Sequence, residues 1–106
     1  MSNEMTDREL LELAAKAAGY HWPLVWPYPS PVDVPHDWNP LTDDGDALRL
    51  AVKLGIDVMH TNIHSAKVHA MADYGVEITE DSSIDPPAAA RRAIVKAAAE
   101  IGRNMK

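Results

Sequence analysis

Five histidines, a run of acids and a cluster of aromatics are the residues of this 106-residue chain whose types and spacing could do chemistry. His60 and His64 are spaced i,i+4, as in a helical zinc pair, and His69 follows closely. The residues between them read as a strand and a turn, where that spacing no longer brings two rings together. His60, His64 and His69 are therefore expected to be surface residues of a sheet and its turn. His21 and His36 have no sequence-near carboxylate except Asp37. Asp43, Asp44, Gly45 and Asp46 resemble the start of a calcium loop, but the twelfth position, which should be a bidentate Glu, is Leu54. Asp43, Asp44 and Asp46 are instead expected on the surface at a helix N-terminus, where the dipole favours negative charge. No cysteine is present, no serine sits in a G-x-S-x-G elbow, and the five glycines are isolated, so neither a nucleophile nor a phosphate cradle is indicated. The expectation is a protein that is not an enzyme and needs no cofactor and no metal.

The aromatics point elsewhere. Residues 20–40 read YHWPLVWPYPSPVDVPHDWNP and hold six of the eight prolines and all three tryptophans. Proline removes a backbone donor and biases its predecessor toward extended geometry, so neither a helix nor a central strand persists here. A long extended arm remains, and loops of this length tend to be functional or disordered. Trp22, Trp26, Tyr28 and Trp38 are the candidate partner-binding residues, because tryptophan and tyrosine bury a large area and keep a polar handle. The competing reading is that they complete the core of a chain without phenylalanine. A homodimer would satisfy both. Trp22, Trp26 or Tyr28 is expected to lie partly exposed in the monomer and to be covered by a second copy or a target.

The flanking elements are read from caps and periodicity. Thr6 and Glu9 form a capping box that opens a helix over about 7–18, and Gly19 closes it. Leu10, Leu13, Ala14 and Ala17 mark its buried face, and Glu12 and Lys16 an i,i+4 pair on the other. A second helix, capped by Thr42 or Asp43 and closed by Gly55, buries Ala47, Leu50, Ala51 and Leu54. Three short strands at 56–61, 67–72 and 76–80 form an antiparallel meander; the middle one is the least strand-like, since Ala and Met favour helix as readily. Asp85 and Pro86 start a last, alanine-rich helix to about Arg103. Pro87, Ala90, Ile94, Ala97 and Ile101 mark one face of it, and Arg92, Lys96, Glu100 and Arg103 the opposite one. The fold class expected is α+β: a single domain over 1–106, with an antiparallel sheet of three or more short strands and three helices packed on it as an α-β-α type sandwich.

Composition sets the bounds. Hydrophobic residues make up 46% and charged residues 25%, an ordinary globular balance. With no Phe and much Ala, the core must be thin, and helices must approach closely through small side chains. The net charge of −6 is uneven, at −7 through Asp46, −3 from Ala47 to Asp85 and +4 thereafter. Such a chain is a poor general binder of nucleic acid, although Arg91, Arg92, Lys96 and Arg103 leave a basic stripe open against the commoner reading of a solvated helix face. No run reaches the roughly 18 apolar residues that span a bilayer, and residues 1–8 do not form a signal peptide. A cytosolic location, no membrane partner and a reducing compartment are expected.

The stretch WNPLTDDGDALRLAVKLGI over 38–56, the opening MTDRELLELAAKAAGY and the closing AARRAIVKAAAEIGR resemble the small phage proteins grouped as the phage α-β-α sandwich domain family. These blocks cover about half of the chain, and the arm and strand region lie outside them. The resemblance implies a phage or prophage origin and a helix–sheet sandwich, with no catalytic residues to carry over. The function expected first is a small phage-encoded binding protein that inhibits a host defence factor, such as a CRISPR component, in the cytoplasm of the infected bacterium. A structural or assembly accessory protein of the phage comes second, and a small metal- or nucleotide-handling enzyme third.

Overall fold

The computed structural model describes residues 5–20, 38–61, 64–73 and 75–105. The chain order is α1 (Asp7–Ala18), α2 (Asp44–Leu54), β1 (Asp57–His60), β2 (Lys67–Ala72), β3 (Val76–Asp81) and α3 (Pro86–Arg103). Three helices and a three-stranded antiparallel sheet pack together as an α+β globule. Among the described residues no helix is long and apolar enough to cross a membrane.

Local chemistry accounts for the helix ends. Thr6 Oγ1 accepts from the Glu9 N–H at 3.2 Å while Glu9 Oε1 accepts from the Thr6 N–H at 3.0 Å, which completes the capping box. Gly19 and Gly55 close α1 and α2 in the left-handed conformation that glycine adopts without a Cβ penalty. Asp43, rather than Thr42, caps α2, and Asp85 caps α3.

The sheet has the order β1-β2-β3, so β2 is paired on both sides. Its register sets Met59 opposite His69 and Val58 opposite Ala70, then His69 opposite Thr79 and Ala70 opposite Ile78. Side chains alternate along a strand. Val68 and Ala70 are buried under α3, while His69 and Met71 point to the other side and remain half-exposed. Pairing on both edges thus makes the middle run a strand despite its composition.

The layering differs from the expectation that all three helices lie on the sheet. Only α3 packs extensively on β2 and β3; α1 and α2 pack on α3 from above and touch each other. Sandwiched in this way, α3 is buried nearly all round: Ala93, Val95, Ala98 and Ala99 join Ile94 and Ala97 in the core, and the expected one-sided stripe is too narrow. Pro87, assigned to that stripe, is exposed. Leu11, Ala15 and Ala18 of α1 are likewise buried, where Leu13 and Ala17 were expected. Glu12 bonds to Arg8 at 3.2 Å, and Lys16 donates to the Met105 carbonyl at 3.0 Å instead of pairing with Glu12.

At Gly102 the backbones of α1 and α3 come very close. A Cβ there would stand 2.0 Å from the Leu13 carbonyl oxygen and 3.3 Å from the Ala17 nitrogen, both backbone atoms of α1. Gly102→Ala should therefore destabilise the chain by about 2–3 kcal/mol through overpacking. Helix propensity alone would stabilise the same variant by about 1 kcal/mol, so the sign of the change in a denaturant titration decides between the two. A second expectation concerns acid. The Thr6 backbone N–H, and then its hydroxyl, hold the Glu9 carboxyl below its ordinary value of 4.5. A depressed carboxyl stabilises the fold above the ordinary value and loses that contribution as pH falls through the lower folded value. Glu9→Gln should flatten the acid limb of the stability profile measured from about pH 6 to about pH 3.

Candidate functional site

The arm leaves and rejoins the described structure at one place. Tyr20 follows α1, Trp38 precedes α2, and their rings meet edge to face with centroids 5.6 Å apart. The Lys53 ammonium of α2 sits 4.6 Å from the Tyr20 ring centroid. Trp38 is only 6% exposed and belongs to the core, so this candidate partner-binding residue anchors the arm rather than presenting it. Trp22, Trp26 and Tyr28 lie outside the described residues.

Behind Trp38, Asp46 holds the chain. Its carboxylate accepts from the Asn39 N–H at 2.9 Å on Oδ2 and from Arg49 Nη2 at 2.7 Å on Oδ1, and its own N–H donates to Asp43 Oδ2 at 2.8 Å. Asn39 in turn accepts from the Leu41 N–H on its side chain and from the N–H groups of Thr42 and Asp43 on its carbonyl. Of the three acids expected on the surface, Asp43 and Asp44 are exposed, but Asp46 is buried at 3% exposure. The reason is positional: at the third residue of the helix it faces inward, and its charge is met by Arg49 and a backbone donor.

The basic residues of α3 form no free stripe: each has an acidic partner, and Arg103 is the most solvated of the four. Arg91 pairs with Asp44 and donates from Nε to the Leu41 carbonyl at 2.8 Å. Arg92 meets Asp7 at 3.1 Å and Glu80 at 3.9 Å, Lys96 meets Glu80 at 2.8 Å, and Arg103 meets Glu100 at 3.4 Å. Arg91, Arg92 and Lys96 tie α3 to α2, α1 and β3, Arg103 pairs within α3, and all four are thereby partly neutralised for any phosphate backbone.

Beside α3 the packing is incomplete. All four residues of β1 are exposed, and on the helix side of this edge strand Val58 and His60 face a groove of about 380 Å³. Its other walls are Ala47 and Leu48 of α2 and Ala90, Arg91 and Ile94 of α3. Leu48 and Val52, one turn apart on α2, are 64% and 74% exposed. These two residues escaped the sequence reading, although their i,i+4 spacing off the Ala47, Leu50 and Ala51 stripe was a legible signal. Of the three clustered histidines, His60 lines the groove, His64 is in an exposed turn and His69 is on the opposite face of the sheet. They are not brought together, and among the described residues no group of three or more histidines and carboxylates could hold a metal ion.

No protein-family model, no curated protein and no solved structure matches the chain.

The Asp46 arrangement makes a measurable demand. Asp46→Ala strands the Asn39 N–H and should cost about 1–3 kcal/mol, with faster hydrogen exchange at the Asn39 amide. Arg49→Ala, whose side chain is 62% exposed, should cost less than about 1 kcal/mol.

Proposed function

We infer that the chain is a non-catalytic binding protein whose partner is another protein. The observation that carries this reading is the groove along β1, which joins a strand edge without a strand partner among the described residues to the exposed side chains of Leu48 and Val58, with exposed Val52 one turn from Leu48 on α2. An edge strand offers backbone donors and acceptors to an extended segment of a partner, and an adjoining apolar groove supplies the side-chain pockets that confer specificity. Scattered apolar residues on a surface need no explanation, but Leu48 and Val58 line one concave site.

Charge narrows the partner class. The chain carries −6, and its described α3 cations are engaged by acids, so its outward field is negative and favours a basic surface. Proteins that handle nucleic acid present such surfaces. Together with the resemblance to small phage proteins, this supports an inhibitor of a host defence factor, such as a CRISPR component, acting in the infected cell. A phage assembly accessory protein is the alternative, favoured if the partner is a virion protein.

The test is direct. In a reconstituted assay the chain should block a nucleic-acid-cleaving defence complex with which it forms a stoichiometric, salt-sensitive assembly. Leu48→Asp and Val52→Asp should weaken that assembly at least about tenfold, while their exposure keeps the stability change within about 0.5 kcal/mol. Full inhibition by both variants would remove the groove from the mechanism.

A further inference from the structure

The face of the sheet turned away from the helices carries a different grouping. Register places Met59 of β1 directly opposite His69 of β2, and Met71 two residues along β2 on that same face. Directly opposed side chains have Cβ atoms about 4.5–5.5 Å apart, and diagonal neighbours lie about 7–8 Å apart, within reach of flexible methionines. Met59 is 51% exposed, and His69 and Met71 are half-exposed. Among the described residues no helix packs over them. Two thioethers and an imidazole thus share one open patch.

We propose that Met59, His69 and Met71 form a binding site for a soft monovalent cation, Cu(I) or Ag(I). Thioether sulfur is a soft donor that prefers such ions over Mg²⁺ or Ca²⁺, and two thioethers with one imidazole make a poor set for Zn²⁺, which favours thiolate and nitrogen ligands. The third strand supplies the outer support. His69 Nδ1 lies 2.8 Å from Thr79 Oγ1, directly opposite on β3. With Nδ1–H donating to that hydroxyl, Nε2 keeps its lone pair for a metal, and binding selects this tautomer.

The charges on this face favour a cation. Asp57 and Glu77 flank Met71 from the two neighbouring strands, and Lys67 is opposed by Asp81. The site is independent of the groove, since Val58 and His60 face the other side of the same strand. It is not a folding element either, because among the described residues the core lies on the helix side of the sheet.

Silver is the redox-stable probe. Titration of Ag(I) into the full chain, followed by methionine-methyl NMR and isothermal calorimetry, should give one site with Kd below about 1 µM. The Met59 and Met71 methyls and the His69 ring should shift, and those of Met5 and Met105 should not. Met59→Leu and Met71→Leu conserve volume and should leave melting unchanged, yet each should weaken binding at least about tenfold, as should His69→Gln. Anaerobic Cu(I) should displace Ag(I) at the same residues, and Zn²⁺ should not. Absence of saturable binding, shifts centred on His60, His64 or other methionines, or wild-type affinity in the three variants would each overturn the proposal.

Discussion

The rest of the structure depends on how closely α1 can approach α3. At Gly102 the α3 backbone lies so near the Leu13 carbonyl that no side chain fits between them. Ala14 and Ala18 on α1 and Ala98 and Ala99 on α3 are all buried. Small side chains bury little area each, so such an interface is stabilised by the number of close contacts it admits rather than by the size of any one group. Close approach also lets one helix serve two layers. With α1 and α2 on its upper side and the sheet beneath, α3 gives α1, α2, β2 and β3 a common wall. This arrangement allows a chain without phenylalanine to exclude water from Val68 and Val95 completely.

A second constraint fixes what the first leaves loose. The arm returns to the body at Trp38, and without a fixed register there α2 could rotate about its axis. Asp46 removes that freedom, because one carboxylate binds the Asn39 backbone on the incoming segment and Arg49 one turn further along the same helix. From the other side, Arg91 bonds to the Leu41 carbonyl and to Asp44. The orientation of α2 decides that Leu48 and Val52 look outward and that Leu50 and Ala51 look inward. A buried, fully bonded carboxylate therefore shapes an apolar groove that it does not line.

Much of the fold was legible because its signals are local. Thr6 with Glu9, Asp85 with Pro86, and the glycines at 19 and 55 act within four residues of one another or of the helix they end, so their meaning survives without knowledge of the fold. What was illegible depends on neighbours distant in sequence. The burial of α3 on nearly all sides follows from three partners, and periodicity within one helix cannot count partners. The Asp46 carboxylate looks like the other acids at a helix start until Asn39 is seen beside it. In 67–72, Val68 and Ala70 already alternate with His69 and Met71, but alternation becomes a strand only when β1 and β3 satisfy its backbone.

The same alternation separates the chain's two chemistries. A four-residue strand such as β1 sends Val58 and His60 to the helix side and Asp57 and Met59 to the other, so one edge contributes to an apolar groove and, on its reverse, to a patch of soft donors. Histidine spacing along the chain drew attention to His60, His64 and His69, expected on the surface of the sheet and its turn, and left the methionines out. In the sheet the meaningful neighbours are across strands: His69 belongs with Met59 and Thr79, ten residues away in each direction, and His60 belongs with the helices. Because β1 is short and at the edge, its pairing is the part of the sheet most easily disturbed.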